Sequence, residues 1–540
     1  MPRSAHSYIQ VLDGIESAAR APVQAPVKAA RPRPECARFW RAACLTLLVA
    51  VLPAAVLAHG EGPTRKVMAP SLAGDHPRVS AQDDYLATNP RSATPDLAPR
   101  ANEAPELAPK AAPPLQAMGS NWLIRGLSVA LMVIVAMILV YTVRHYHFTL
   151  NRLFGRQRHP YIDIDAAEWP TVTVFIAAHN EEAVIAGSLS ALLMVDYPPE
   201  KLTIMPVNDR SQDRTREIID EFVARHPGRI RPFHRTGGKP GKAAALKDAT
   251  ELVDSEIIII FDADYLPSRG LIKQLAAPFF DPEVGATMGR VVPQNVGSAL
   301  LTRLLDLERS GGYQVDQQAR MNLGLVPQYG GTVGGIRRRA LESVGGWHEN
   351  VLAEDTDLTY RLLVNNWKTV YQNRSECYEE VPESWAVRVR QIMRWAKGHN
   401  QALFRHALRV WRTKGLSIQE RLDGLLLLGV YLMAPVVIVG WILALLIFYF
   451  NTSPLISASV AVLGLVSYSA LGNFAAFFEI GAAAYLDGSR QRIRLLPLNM
   501  LGFLVSVVSI SRATYNQIVF DTLLKREFKW DKTVRYRKSS

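Results

Sequence analysis

The stretch Ile257-Ile258-Ile259-Ile260-Phe261-Asp262-Ala263-Asp264 decides the fold of this 540-residue chain. Its first five residues are apolar on every side and too few for a helix, which predicts a strand buried on both faces. Two similar runs precede it, Thr171–Ala178 (TVTVFIAA) and Leu202–Val207 (LTIMPV), with helical patterns between them at 181–194, 213–225 and 241–253. That alternation predicts an α/β domain, a Rossmann-like and mostly parallel sheet with helices on both faces. Ligands of such sheets bind beyond the carboxyl ends of the strands. Polar residues gather there: His179-Asn180-Glu181, Asn208-Asp209, and Asp262 with Asp264.

Outward from this domain the chain turns apolar. Ala42–Ala58, Gly126–Val143, Leu425–Phe450, Leu455–Phe478 and Leu495–Ser511 carry no charged residue. Runs of this length match the ~20 residues needed to cross hydrocarbon, so a purely soluble enzyme is excluded. The net charge of +12 does not point to nucleic acid, because the basic residues sit beside the apolar runs, seven of them in Lys525–Ser540. That is the positive-inside pattern of a membrane protein. The three cysteines, Cys36, Cys44 and Cys377, have neither zinc nor disulfide-framework spacing.

The expected organisation is a cytoplasmic tail over 1–41 and an anchor or signal-like segment over 42–58. A Pro/Ala-rich extracytoplasmic linker follows over 59–120, serving as a spacer or as a docking site for an envelope partner. A transmembrane helix over 122–143 returns the chain to the cytoplasm, where Arg144, Arg152, Arg156 and Arg158 follow it. The catalytic domain then spans 165–410, transmembrane or interfacial helices 421–518, and a basic tail 519–540. Three apolar runs after the domain would leave that tail outside, so either one run is interfacial or re-entrant or a crossing is uncounted.

Four residue groups are chemically suggestive. Asp262 and Asp264 are i and i+2, on one side of an extended chain, and two carboxylates together need a cation or another partner. They are either ligands for Mg²⁺ or Mn²⁺ or a solvated acid pair at a turn. Ala353-Glu354-Asp355-Thr356-Asp357 opens a helical pattern, with Asp355 either a cap or a general base. Gly237–Ala243 places Lys239 and Lys242 among glycines at a helix start, a phosphate cradle or a solvated loop; it is not a Walker A sequence. Gln391, Arg394 and Trp395 share one helical side at i, i+3 and i+4, where Arg suits phosphate and Trp stacks on a sugar or on the core. His145, His147, His399 and His406 make no zinc or triad spacing.

In this order, VNDRS (207–211), FDADYLP (261–267), LAEDTD (352–357) and QIMRW (391–395) resemble the D, DxD, TED and QxxRW pattern of membrane-embedded family-2 glycosyltransferases. These include cellulose, chitin, hyaluronan and poly-N-acetylglucosamine synthases. The resemblance covers about 170–410 and implies a cytoplasmic GT-A-type domain fused to transmembrane helices in a bacterial inner membrane. It implies a hexosyltransferase that polymerises a UDP-sugar into a β-linked polysaccharide, processively, and exports it. UDP-glucose is favoured over UDP-N-acetylglucosamine because FDADYLPSR is nearer the glucan-synthase wording. The alternative is transfer of a single sugar to a lipid, or a non-catalytic scaffold.

By the same resemblance Ala178, His179, Glu181, Asp209, Lys242, Asp262, Gln391 and Arg394 would bind the donor nucleotide and its diphosphate. Asp264 would hold Mg²⁺ or Mn²⁺, and Asp355 would be the catalytic base beside Glu354. Gly331, Thr332 and Trp395 would line the acceptor site. Phe528, Trp530, Lys532 and Thr533 would form a gating loop. Two departures stand out: His179 where Tyr is common, and Ala353 where the TED wording has Thr.

Overall fold

A computed structural model describes residues 115–159, 168–450 and 473–519. The tail, anchor and most of the linker expected over 1–120 lie outside these residues, as do most of the apolar run 455–478 and the gating residues Phe528, Trp530, Lys532 and Thr533.

The first described element is helix α1 (Leu115–Phe154), followed by β1 (Val172–Ala178), α2 (Ile185–Leu193), β2 (Leu202–Asp209) and α3 (Thr215–Arg225). Then come β3 (Phe233–Arg235), α4 (Lys242–Thr250), β4 (Ile257–Asp262), β5 (Leu266–Pro267), α5 (Leu271–Ala276) and β6 (Val284–Pro293). Helix α6 (Leu300–Ser310) passes through a π-helical segment, Gly311–Gln317, into α7 (Gln318–Leu323). The domain closes with β7 (Gly334–Arg337), α8 (Arg338–Ser343), α9 (Glu354–Val364), β8 (Lys368–Glu379) and the long α10 (Trp385–Arg412). Helices α11 (Ile418–Gly429), α12 (Met433–Phe450), α13 (Asn473–Leu486) and α14 (Leu496–Asn516) follow.

The Ile257–Phe261 strand runs through the middle of the sheet and divides two cores. Ile257, Ile259 and Phe261 pack on one face with Val172, Val174 and Ile176 of β1. Ile258 and Ile260 pack on the other with Phe175, Met205 and Val207. Period-2 geometry therefore sends alternate residues to opposite faces, and the run reads as unbroken apolar only because both faces are covered. Each such side chain contributes ~1.5–3 kcal/mol by leaving water.

The strand order is β3-β2-β1-β4-β7-β6-β8-β5. Strands β3, β2, β1 and β4 are parallel, and β6 is parallel to β8. Strand β7 enters antiparallel between β4 and β6, and β5 antiparallel to β8. The sheet is thus mixed, with parallel pairing strongest in its first half. In register, Ala177 faces Asp262 and Ala178 faces Asn208, so β1, β2 and β4 end together on one edge. Antiparallel β7 begins at that same edge, Gly334 opposite Ile260, and brings the preceding loop 330–333 beside Asp262.

Among the described residues, three helical stretches are long and apolar enough to cross a membrane: Trp122–Phe154, Ile418–Phe450 and Arg490–Val519. They contain the expected runs 126–143, 425–450 and 495–511. A four-membered charge cluster joins the first two of them to the domain. Arg144 of α1 contacts Asp316 at 2.8 Å and Asp423 of α11 at 2.9 Å. Arg320 of α7, fully buried, contacts the same two acids at 3.0 and 2.7 Å. Two cations against two anions leave no net buried charge, the condition under which buried ions persist.

Candidate active site

The shared edge of β1, β2 and β4 holds a connected polar site. Asp209, the last residue of β2, is a hub of hydrogen bonds within it. Its carboxylate accepts from Arg210 Nε (2.9 Å), Arg235 Nη1 (3.0 Å) and the Gly241 backbone N–H (3.0 Å). Burial alone would raise its pKa, but these donors outweigh it and hold the carboxyl below its ordinary value. Arg235 also binds Asp248 at 2.6 Å and the Lys239 carbonyl at 2.6 Å. The glycine-rich loop is therefore pinned to Asp209 by main-chain and side-chain bonds. At the end of β1, His179 Nδ1 donates to the Asp209 carbonyl at 2.6 Å. The buried Glu181 backbone N–H donates to Thr215 Oγ1 at 2.7 Å.

Lys242, the first residue of α4, reaches across to β4. Its Nζ donates to Asp262 Oδ1 at 2.5 Å and to the Gly331 carbonyl at 2.8 Å. Burial would depress the ammonium pKa, yet Asp262, Glu354 and Asp355 together raise it, so the lysine stays charged. The Asp262 N–H donates to Thr332 Oγ1 at 3.1 Å. Asp264, two residues on, is buried. Loop 330–333 thus stands between Asp262 at the end of β4 and Asp355 at the start of the helix over 354–364, Thr332 bonding the one and Gly331 lying against the other.

Helix α9 starts at Glu354, and Asp355 occupies its first turn. The Asp355 side chain accepts from the Thr356 N–H at 2.6 Å, and its own carbonyl accepts from Thr359 Oγ1 at 2.8 Å. Burial pushes both Glu354 and Asp355 upward, while Lys242 and Arg394 pull the other way without cancelling it. Burial makes such a carboxylate a stronger base than a solvated one, the direction that suits proton abstraction. Gly331 lies directly against it: φ is +71°, and an added Cβ would stand 2.9 Å from Asp355 Cβ. Only glycine fits that close approach without strain.

Helix α10 carries Gln391, Arg394 and Trp395. It packs so tightly on the start of α9 that a Cβ on Gly398 would lie 2.6 Å from Ala353 Cβ. This contact gives the Ala353 departure a physical reason, because a larger residue there would collide with the α10 backbone. Gln391 Oε1 accepts from Arg388 Nη1 at 2.9 Å. The Trp395 ring is covered by two guanidinium groups, Arg309 at 5.2 Å and Arg388 at 5.3 Å from its centroid.

Sequence reasoning did not single out Arg309, Glu379 or Thr356, and it set His399 aside. The structure puts His399 one turn beyond Trp395, with Nδ1 3.2 Å from the Trp395 carbonyl and Nε2 3.2 Å from Gln328 Nε2. Burial pushes its pKa down to about 4, so the imidazole is neutral and accepts from Gln328. A one-turn offset from Trp395 was visible in the sequence; the contacts from 328 and 356 were not.

Residues 170–398 match the profile described as "Glycosyltransferase like family 2". This segment is therefore similar in sequence to family-2 glycosyltransferases. The mixed sheet with its helical layers is a GT-A-like fold, and the enzyme class expected from the motifs, a hexosyltransferase, stands. The chain is 28% identical over 403 residues to the probable glycosyltransferase YdaM of Bacillus subtilis, covering 73% of this chain and 92% of that protein. It is 30% identical over 265 residues to the beta-monoglucosyldiacylglycerol synthase of Synechocystis sp., covering 48% of this chain and 54% of that one, about half its length. A solved mannosyltransferase from Pyrobaculum calidifontis, in complex with GDP-Man and Mn²⁺, overlaps 67% of this chain and 98% of its own at 21% identity and a TM-score of 0.48.

Proposed function

We propose that the glycosyltransferase polymerises a UDP-sugar, UDP-glucose before UDP-N-acetylglucosamine, into a β-linked polysaccharide. The polymer is exported across a bacterial inner membrane, with the 165–410 domain on the cytoplasmic side. The observation that carries this reading is the pair Glu354 and Asp355, made basic by burial and set beside Lys242, Asp262 and Arg394. Asp355 takes the proton of the acceptor hydroxyl as that oxygen forms a bond to C1 of an α-linked donor. The C1–O bond to the diphosphate breaks, UDP leaves with the electron pair, and the anomer inverts. Lys242 and Arg394 stabilise the negative charge gathering on the leaving diphosphate.

Asp262 and Asp264 fit a hard divalent ion such as Mg²⁺ or Mn²⁺. Their oxygens are suitable donors, and no cluster of three or more His, Cys, Asp or Glu residues among those described would hold an ion unaided. Such ions take their remaining ligands from phosphates and water. When bound, the ion would neutralise charge on the diphosphate. Arg144, Arg152, Arg156 and Arg158, following α1's apolar run, support the cytoplasmic side for the domain.

A second reading, transfer of one sugar to a membrane lipid, is favoured by the 30% identity to a synthase whose name specifies a glucosylated diacylglycerol. One experiment separates the two. Membrane vesicles containing the protein, with Mn²⁺, receive radiolabelled UDP-glucose or UDP-N-acetylglucosamine, and Asp355→Asn serves as control. Label in high-molecular-weight polymer, lost in the variant, is the expected result. Label confined to the lipid extract establishes the second reading, and no transfer from either donor refutes both.

A further inference from the structure

The residues around Trp395 carry an arrangement that none of the motifs contains. Arg309, at the end of α6, lies over the indole. Its Nε is also ion-paired with Glu379 Oε1 at 2.7 Å, and Glu379 is itself only 7% exposed at its side chain. The other carboxylate oxygen, Oε2, accepts from Tyr265 Oη at 2.7 Å. Tyr265 directly follows Asp264, and the antiparallel pairing of Leu266 with Tyr378 brings it beside Glu379. A continuous line of contacts thus runs from the aspartate loop through Tyr265, Glu379 and Arg309 to Trp395.

A second arginine completes the setting. Arg388 also lies over the indole, pairs with Glu308 and donates to Gln391 at 2.9 Å. Arg309 and Glu308 are neighbours on α6, so that helix supplies both the cation on Trp395 and the anion that holds Arg388. Immediately after them the helix becomes π-helical over Gly311–Gln317. A π segment costs hydrogen-bond geometry and recurs where a helix must place side chains for function. A planar guanidinium over an indole fixes the ring's orientation and leaves it little rotational freedom.

We propose that Arg309 is a positioning residue for the acceptor: it orients Trp395 and, through Glu379 and Tyr265, ties the acceptor seat to the aspartate loop that holds the donor. This inference rests on the glycosyltransferase reading with Trp395 at the acceptor. Arg309 itself need touch neither substrate. If the seat is misaligned, water competes better for the activated donor, and hydrolysis rises relative to transfer. Donor binding, built from Asp209, Lys242 and Asp262 on the far side of the line, stays as it was.

The test uses full-length protein in membrane vesicles with radiolabelled UDP-glucose and UDP-N-acetylglucosamine, comparing wild type with Arg309→Ala, Arg309→Lys and Glu379→Gln. The readouts are the ratio of label in product (polymer plus lipid) to label as free sugar, and UDP affinity by calorimetry. Arg309→Ala should lower the ratio ~10-fold, the scale of one desolvated cation–π contact, with UDP affinity unchanged. Arg309→Lys, which keeps the charge on Glu379, should recover part of the ratio, and Glu379→Gln should lower it. An unchanged ratio in Arg309→Ala overturns the proposal. So does a parallel fall in transfer, hydrolysis and UDP affinity that lysine does not relieve, which marks a purely structural arginine. If wild type releases neither product nor free sugar from either donor, the glycosyltransferase reading fails first, and this one with it.

Discussion

Replacing Gly331 by alanine puts one methyl group where the structure has least room for it. That Cβ would lie 2.9 Å from Asp355 Cβ, 3.4 Å from its Cγ and 3.3 Å from Oδ2. Carbon atoms rest at ~3.5–4.0 Å, so the Asp355 side chain must retreat by roughly 0.5–1 Å. The backbone adds its own cost, since φ at 331 is +71° and a left-handed alanine costs ~1–2 kcal/mol. For a domain of this size that lowers the melting temperature by only about 3–6 °C. Catalysis should suffer far more, because a misplacement of ~1 Å costs on the order of 10²-fold. The assay is kcat for sugar transfer at saturating donor, beside a thermal melt and UDP binding. The expected pattern is a ~10²-fold loss of kcat with UDP affinity within ~3-fold of wild type. If Gly331→Ala keeps kcat within ~3-fold while melting lower, Asp355 is not the base or does not need its present position.

Three further predictions concern the same region. Removing the charge of Asp357, only 1% exposed and bonded to His348, Arg361, Arg405 and His406, should cost ~3–5 kcal/mol; a thermal melt of Asp357→Asn reads this directly, and an unchanged melt contradicts it. Gly398→Ala meets Ala353 Cβ at 2.6 Å and should destabilise by ~1–3 kcal/mol through overpacking, with transfer falling because Ala353 adjoins Glu354. The pH–rate profile should have an acid limb above the ordinary carboxylate range, because burial raises Asp355 and a base works only when deprotonated. Rate is then lost as pH falls through that raised value. Lys242→Met removes a cation that pulls both acids down, so the limb of kcat at saturating donor should move to higher pH; a shift to lower pH would show that the limb belongs to another group.

The parts of the fold that were legible in the sequence are those specified locally. Ile257–Phe261 announced a central strand because no residue in it tolerates water, and the acids after it followed from the rule that sites lie at strand ends. The helix start at Glu354 and the shared side of Gln391, Arg394 and Trp395 were likewise local. The second half of the sheet was not legible. Strands β7 and β8 each pair with β6 across gaps of 46 and more residues, Met288 opposite Gly334 being the shortest, and β7 is four residues long with two glycines. Its antiparallel entry, which delivers Gly331 to Asp355, leaves no periodic trace. Arg309 was hidden for the same reason: its partners Glu379 and Trp395 lie 70 and more residues away, and a charged residue on an amphipathic helix reads by itself as solvent-facing.

The cluster of Arg144, Asp316, Arg320 and Asp423 has a consequence for biogenesis. Arg144 is synthesised at the end of the first described apolar helix, long before either of its acidic partners, and Asp423 arrives only with α11. Until then Arg144 lacks its protein partners, and its charge is met at the membrane boundary by water and headgroups alone. Helix α1 can insert with Arg144 held at the membrane boundary, but the neutral, fully docked arrangement is reached only when domain and later helices are both present. Closure of the cluster thus requires the chain through residue 423: a chain interrupted before it retains Arg144 and Arg320 against Asp316 alone, one cation in excess where the finished protein has none.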